Sequence, residues 1–237
     1  MLRLITCFSL ELYGLRLAAL FTGGKDSTYS IYLAQRMGHE VVKLVTVIPE
    51  AADSYMFHYP NLRFTGLQAE SMGVEQVVEH TKGVKEEELK DLRRALEKTL
   101  PSVDGVVAGA IASAYQKTRV ERIAEELGLS VVAPLWGRNP AELLREMIET
   151  GFEFVVTAVS AEGLGREWLG RKVDKKAAEE LERLSREYGI NPCGEGGEFD
   201  TFVTNCPLFQ RRIEIRRASI AWRGYSGFFI IEEASLV

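Results

Sequence analysis

Leu15-Arg16-Leu17-Ala18-Ala19-Leu20-Phe21-Thr22-Gly23-Gly24-Lys25-Asp26-Ser27 is the stretch whose reading decides the fold. Its first seven residues form a short, mostly apolar run ending at two glycines, the pattern of a buried parallel strand feeding a tight turn. Behind the turn, Tyr29, Ile31, Leu33, Ala34 and Met37 recur near helical spacing, and Gly38 stands where a helix C-cap belongs. Residues 40–48 are a second β-rich run, stopped by Pro49. A strand, loop, helix and strand in that order must cross over right-handed, which predicts a parallel sheet.

Outward from this unit the alternation repeats. The patterns predict a helix over 62–72, a short strand over 75–79, a charged amphipathic helix over 85–100, a strand over 103–108 closing on Gly109, a helix over 113–127 and a short strand over 130–133. Together they predict a doubly wound, mostly parallel α/β domain over residues 1–133. Past Pro134 the texture changes. Helices are expected over 140–150 and 174–188, a strand over 153–160, and strands over 199–204, 211–220 and 228–233. This reads as a smaller α+β domain over 134–237 that supplies the far wall of a cleft. Residues 1 to about 12 read as an extension ahead of the first strand, with no function assigned.

The 237 residues are 46% hydrophobic and 27% charged, values of an ordinary folded chain. A net charge of −5 counts against a protein that wraps nucleic acid, so no stable nucleic-acid complex is expected. Three cysteines, Cys7, Cys193 and Cys206, are too few and too odd for a disulfide framework and fit a reducing cytoplasm. No apolar run reaches the roughly 20 residues that span a bilayer, so no membrane association is expected. The apolar start, Met1 to Leu20, lacks a small-residue cleavage site that would leave the next strand whole, and is not read as a signal peptide. Homo-oligomerisation is left open.

Thr22 to Ser27 has the chemistry of a phosphate cradle. Gly23 and Gly24 let backbone N–H groups approach an anion, and the helix that follows presents its own free N–H groups and its positive dipole end. Lys25 adds charge, Thr22 and Ser27 add hydroxyl donors, and Asp26 can cap the helix or hold Mg²⁺ through water. The alternative is an ordinary strand-to-helix turn with a solvated lysine. Neither the Walker pattern nor the dinucleotide fingerprint is present. The loop resembles the S-G-G-K-D-S loop of the N-type ATP pyrophosphatases, with Thr22 in place of the first serine. That resemblance implies the Rossmann-like fold of the adenine nucleotide alpha hydrolases. It also implies ATP cleavage between the α- and β-phosphates, adenylylation of an acceptor oxygen, and displacement of AMP by nitrogen or sulfur.

Gly194-Glu195-Gly196-Gly197-Glu198 places two carboxylates in a short glycine-rich loop. They can hold Mg²⁺ or orient an incoming ammonium and take up its proton; the other reading is a surface turn. His58 can donate to a carboxylate or phosphate, or merely pack. Gly109 at a strand end lets the chain pass close to adenine or ribose. Ser113, Tyr115, Gln116 and Arg119 begin the next helix and can face the same cleft, although Arg119 also suits a structural ion pair. Trp136 lines a substrate pocket or packs between domains. Arg211, Arg212, Arg216 and Arg217 can dock an acidic surface or simply solvate an edge strand.

Met56-Phe57-His58-Tyr59-Pro60-Asn61, Gly109-Ala110-Ile111, Ser113, Tyr115-Gln116, Arg119, Pro134-Leu135-Trp136 and Gly194-Glu195-Gly196-Gly197-Glu198-Phe199-Asp200-Thr201, taken in this order, resemble the diphthine–ammonia ligase family. The likeness runs from about residue 15 to residue 231. It implies ATP-dependent activation of the diphthine carboxylate on elongation factor 2, followed by attack of ammonium, with ATP and Mg²⁺ as cofactors. In that reading Lys25, Glu195, Glu198 and His58 are catalytic and Asp26 holds the metal. Thr22 to Ser27, Val47, Ile48 and Gly109 hold ATP. Ser113, Tyr115, Gln116, Arg119, Trp136, Gly196, Gly197 and Thr201 bind the acceptor. The rival expectations are sulfur transfer to tRNA through Cys193 and Cys206, and a non-catalytic ATP-binding regulator. Amidation of a small carboxylate is a third.

Overall fold

Leu17, Ala18 and Ala19 are fully buried, yet successive side chains feed two different cores. Leu17 and Ala19 pack with Phe21, Ile31, Ala34 and Leu44, whereas Ala18 packs with Leu96, Val106 and Ala124. A strand covered on both faces needs apolar residues at every position, and this is why the run does not alternate.

The computed structural model describes residues 14–49, 61–82, 87–111 and 114–237. In chain order the elements are β1 (Arg16–Leu20), α1 (Lys25–Arg36), β2 (Glu40–Pro49), α2 (Thr65–Met72, entered through a 3₁₀ turn at Leu62–Phe64), β3 (Glu75–Thr81), α3 (Glu87–Glu97), β4 (Gly105–Val107), α4 (Ala114–Glu126) and β5 (Ser130–Val132). They are followed by α5 (Pro140–Glu149), β6 (Glu153–Val159), α6 (Lys175–Tyr188), β7 (Phe199–Asn205), β8 (Ile213–Arg223) and β9 (Ser226–Leu236). The doubly wound α/β expectation is met. The first sheet runs β3-β2-β1-β4-β5 with every pair parallel. The chain winds outward through β2 and β3, then returns to lay β4 on the other side of β1. Between β1 and β4 the direction of winding reverses, and ligands of such sheets bind at that switch point, beyond the carboxyl ends of the strands.

The second sheet is antiparallel, in the order β7-β6-β9-β8. Its last two strands run longer than the sequence pattern suggests. Arg223 pairs with Ser226 across a two-residue turn at Gly224 (φ 60°) and Tyr225, so the ladder continues through polar positions where hydrophobic alternation fades. Local signals serve the helices here. The Asn139 side chain accepts from the N–H groups of Ala141 and Glu142 (3.0 and 3.2 Å), with Pro140 opening α5. The Asp174 carboxylate accepts from the Ala177 N–H (2.9 Å) at the start of α6.

The two sheets do not have separate cores. Tyr29 of α1 is buried among Met147, Phe152, Phe154 and Leu181, meets the Phe152 ring edge-on at 5.0 Å, and donates its hydroxyl to Glu146 (2.7 Å). Phe64 and Leu67, at the start of α2, pack against Phe202, Ile213 and Ile231 of the second sheet. Asn61 acts as a spacer between them: its amide donates to Phe229 O and its carbonyl accepts from Ile231 N, both at 2.9 Å. Among the described residues no helix is long and apolar enough to cross a membrane.

Candidate active site

At the switch point the chain leaves β1 and turns sharply at Gly23, whose φ of 75° suits glycine. A Cβ on Gly23 would stand 2.2 Å from the Gln68 Oε1 atom, so the turn also needs a residue without a side chain. Gln68 is fully buried, and its amide donates to Gly23 O (2.9 Å) and Val203 O (2.8 Å). Val203 of β7 donates its own N–H to Gly23 O (3.0 Å). The loop is thus fastened to α2 and to the second sheet at a single residue. Beyond it, Ser27 and Thr28 return their hydroxyls to Gly24 O (3.1 and 2.8 Å), and the Lys25 N–H donates to Thr201 Oγ1 (3.1 Å).

Lys25, expected to add a positive charge to a phosphate cradle, is not the solvated lysine of the alternative reading. Its side chain is 2% exposed. The ammonium donates to Asp26 Oδ2 (2.7 Å) and to Cys193 O (2.5 Å), and stands 5.4 Å from the centre of the Phe199 ring. Burial pulls the lysine pKa down, but Asp26, with Cys193 and Glu195, outweighs it and holds the group above its ordinary value, so it stays charged. Asp26 keeps its other oxygen, Oδ1, buried and without a hydrogen-bond partner.

These groups open onto a cavity of about 790 Å³, within the range of small-molecule sites. One wall holds Thr22, Gly24, Lys25, Asp26 and Ser27; the opposite wall holds Glu195, Gly196, Gly197, Asp200 and Thr201. Val47 and Pro49 line it from β2, and Ile48 between them does not, because neighbouring strand residues face opposite ways. Gly109 and Arg119 line it from the β4 side. A Cβ on Gly109 would lie 2.9 Å from the Asp26 carbonyl carbon and from the Ser27 nitrogen. The glycine is therefore required by the start of α1, a closer constraint than the ligand that sequence reading assigns to it.

The carboxylates of the glycine-rich loop part ways. Glu195 accepts from the Ile111 N–H (3.1 Å), tying the segment after β4 to the segment before β7. Glu198 bends back onto its own loop, where Oε1 accepts from the Asn191 N–H (2.8 Å) and Oε2 is buried without a partner. Its expected place on the cavity wall is taken by Asp200. Burial pushes the Asp200 carboxyl up to about 6, with Asp26 adding to the rise and Lys25 opposing it. Asp200 stands inside the glycine-rich motif with no role legible in its sequence, and Gln68 has no local signal at all. Leu89 and Leu92 fit the pattern of an amphipathic helix, yet both line the cavity.

Several other expected residues fall elsewhere. Trp136 is half-buried in a turn where its backbone N–H donates to Ala133 O (3.2 Å), and it does not line the cavity; its neighbour Leu135 is the one that enters the core. His58 and Ser113 lie outside the described residues, as do the side chains of Tyr115 and Gln116 at the start of α4. Cys193 and Cys206 are buried free thiols, each pushed up to about 12 by burial, and Cys193 donates to Pro140 O (3.0 Å). The arginines around β8 are paired, Arg211 with Glu70, Arg212 with Glu153, Arg216 with Glu214 and Arg217 with Glu232. Among the described residues no three His, Cys, Asp or Glu side chains cluster to hold a metal ion.

The chain matches the model of the diphthamide synthase N-terminal domain over residues 15–131 and that of the C-terminal domain over residues 139–237. The chain belongs to the diphthamide synthase family. Its relatives include a human protein named diphthine–ammonia ligase, 34% identical over 236 residues, with 90% of this chain and 88% of the human protein covered. A rat protein of the same name is 34% identical over 256 residues, covering 94% of this chain and 95% of its own length. In fission yeast, Schizosaccharomyces pombe, a longer protein of that name is 33% identical over 217 residues, covering 84% of this chain but 36% of its own length. Within the diphthamide synthase family, then, this chain carries its two carboxylate-bearing walls on two sheets that meet at one cavity.

Proposed function

We propose that this chain is an ATP-dependent diphthine–ammonia ligase, acting in the cytoplasm on the diphthine residue of elongation factor 2 and using free ammonium. The observation that carries this reading is the single cavity in which the loop from Thr22 to Ser27 faces the loop from Glu195 to Thr201. One wall suits phosphates and the other suits a carboxyl acceptor and a cation. Support comes also from membership in a family whose relatives bear that enzyme name.

In this reading the free N–H groups at the start of α1 bind the pyrophosphate portion of ATP, and Lys25 stabilises the charge that develops as the α–β bond breaks. Leu89, Leu92 and Val47 form an apolar wall that suits adenine. The carboxylate oxygen of diphthine attacks the α-phosphorus, pyrophosphate leaves, and nitrogen then displaces AMP from the acyl carbon. The residues fit Mg²⁺ as a shared ion: Asp26 Oδ1, buried and unpartnered beside the phosphate loop, would supply one oxygen, with phosphate and water completing the shell. When bound, the ion would neutralise phosphate charge. Sulfur transfer is disfavoured because it needs a thiolate, and both described thiols are held protonated.

The test is an assay with diphthine-bearing elongation factor 2, ATP and ammonium. Diphthamide, AMP and pyrophosphate should appear in equal amounts. Amidation of a small carboxylate in place of the protein would overturn the choice of substrate.

A further inference from the structure

Of the four carboxylates that border the cavity, Glu88 lies with Leu89 on α3, while Asp26, Glu195 and Asp200 stand on the two facing walls where nitrogen must arrive, and the structure separates the uses of these three. Asp26 gives one oxygen to Lys25, and Glu195 takes the Ile111 N–H. Asp200 alone of the three accepts no hydrogen bond and forms no ion pair among the described residues, although Lys25 and Asp26 act on it electrostatically. In the β6–β7 ladder Val156 pairs with Thr201 and Ala158 pairs with Asp200, leaving Thr157 as an extra residue between them. Such a bulge bends its strand and re-aims neighbouring side chains. Thr157 and Ala158 of β6 both line the cavity, although a regular strand would turn one of them away, and opposite them Phe199, Asp200, Thr201 and Phe202 of β7 line it in succession. Thr201 meanwhile holds the phosphate loop through the Lys25 N–H, which sets Asp200 one residue away from the nucleotide's anchor.

We propose that Asp200 is a catalytic residue that binds the incoming ammonium and takes its proton as nitrogen attacks the activated carboxyl. The inference rests on the amidation reading above. A carboxylate without protein donors leaves its lone pairs for the N–H groups of a cation, and its negative charge offsets the repulsion between ammonium and Lys25. One N–H proton of ammonium passes to the Asp200 carboxylate, and the freed lone pair forms the C–N bond. The C–O bond to the phosphate of AMP then breaks with its electron pair, and the second surplus proton leaves the nitrogen for water. Glu198, turned to the Asn191 N–H, is not placed for this work.

Hydroxylamine separates binding from proton removal, because at neutral pH it is largely unprotonated and attacks without losing a proton first. Asp200→Asn should lose about 10²- to 10⁴-fold in kcat/KM for ammonium, still exchange pyrophosphate into ATP in the presence of the acceptor, and recover with hydroxylamine. Asp200→Glu, which keeps the carboxylate but displaces it, should lose less with ammonium than Asp200→Asn. Equal losses with both nucleophiles, wild-type amidation by Asp200→Asn, or loss of pyrophosphate exchange would overturn the role. Should the wild-type protein form neither amide nor hydroxamate, the amidation reading itself fails, a result distinct from any of these.

Discussion

Lys25 holds its charge where water scarcely reaches, between Asp26 and a carbonyl of the other wall. Removing the ammonium therefore does two things at once: it takes away charge stabilisation and strands a carboxylate. Lys25→Met should slow AMP formation by about 10²- to 10³-fold and lower stability by about 3–5 kcal/mol. Adding Asp26→Asn should restore the melting temperature without restoring turnover. Restored turnover in the double variant would remove Lys25 from the chemistry. Asp200 shows the opposite balance. Its carboxyl titrates near 6 in the fold, against about 3.9 in an unfolded chain. Between those values the folded protein holds a proton that the unfolded chain has released, so stability falls as pH rises through that window. Above it the burial of the charge costs up to about 3 kcal/mol. Asp200→Asn should accordingly melt higher than the wild type at neutral pH, and the difference should vanish below about pH 4. A lower melting temperature at neutral pH would contradict this.

At the scale of elements, the start of α1 is pinned from three sides. Gly109 presses on it from the β4 loop, Gln68 grips the preceding turn from α2, and Thr201 accepts from its first N–H. Precise aim of free N–H groups is what turns a helix end into a phosphate site. Gly109→Ala puts a methyl group into the Asp26–Ser27 backbone and must shift the helix start. It should weaken ATP binding at least about tenfold, or 1.4 kcal/mol, in a titration calorimeter, while the far-ultraviolet circular dichroism stays that of the wild type. Unchanged affinity would mean that the helix end is not the phosphate site.

For the whole molecule, the cavity exists only because the second sheet rests on helices of the first. Cys193 shows how this shapes function. Its carbonyl reaches Lys25 across the cavity, while its thiol is spent on Pro140 O. The backbone matters at that position and the sulfur does not. Cys193→Ser keeps a donor for Pro140, and Cys206→Ser removes the other described thiol. Both variants should retain wild-type amidation. Loss of activity in correctly folded Cys193→Ser would revive sulfur chemistry.

The parallel sheet, the order of its elements and the glycine turn from Thr22 to Ser27 were legible in the chain because each depends on local pattern: an apolar run, two glycines, then residues at helical spacing. The glycine-rich carboxylate loop was legible as a motif for the same reason. What stayed hidden depends on facing residues far apart in sequence. Glu198 and Asp200 stand two positions apart with the same charge, yet Glu198 is drawn back onto its own loop by the Asn191 N–H while Asp200 lines the cavity. Gln68 carries no signal in its helix; its importance comes from Gly23 and Val203, which meet it only when the two sheets close. Lys25 reads as a phosphate-loop charge, and nothing local shows that the Cys193 carbonyl holds it from 168 residues away. Periodicity and turn chemistry act over a few residues and so belong to the sequence. The partner of a buried polar group is chosen by packing, and packing is settled by the tertiary structure alone.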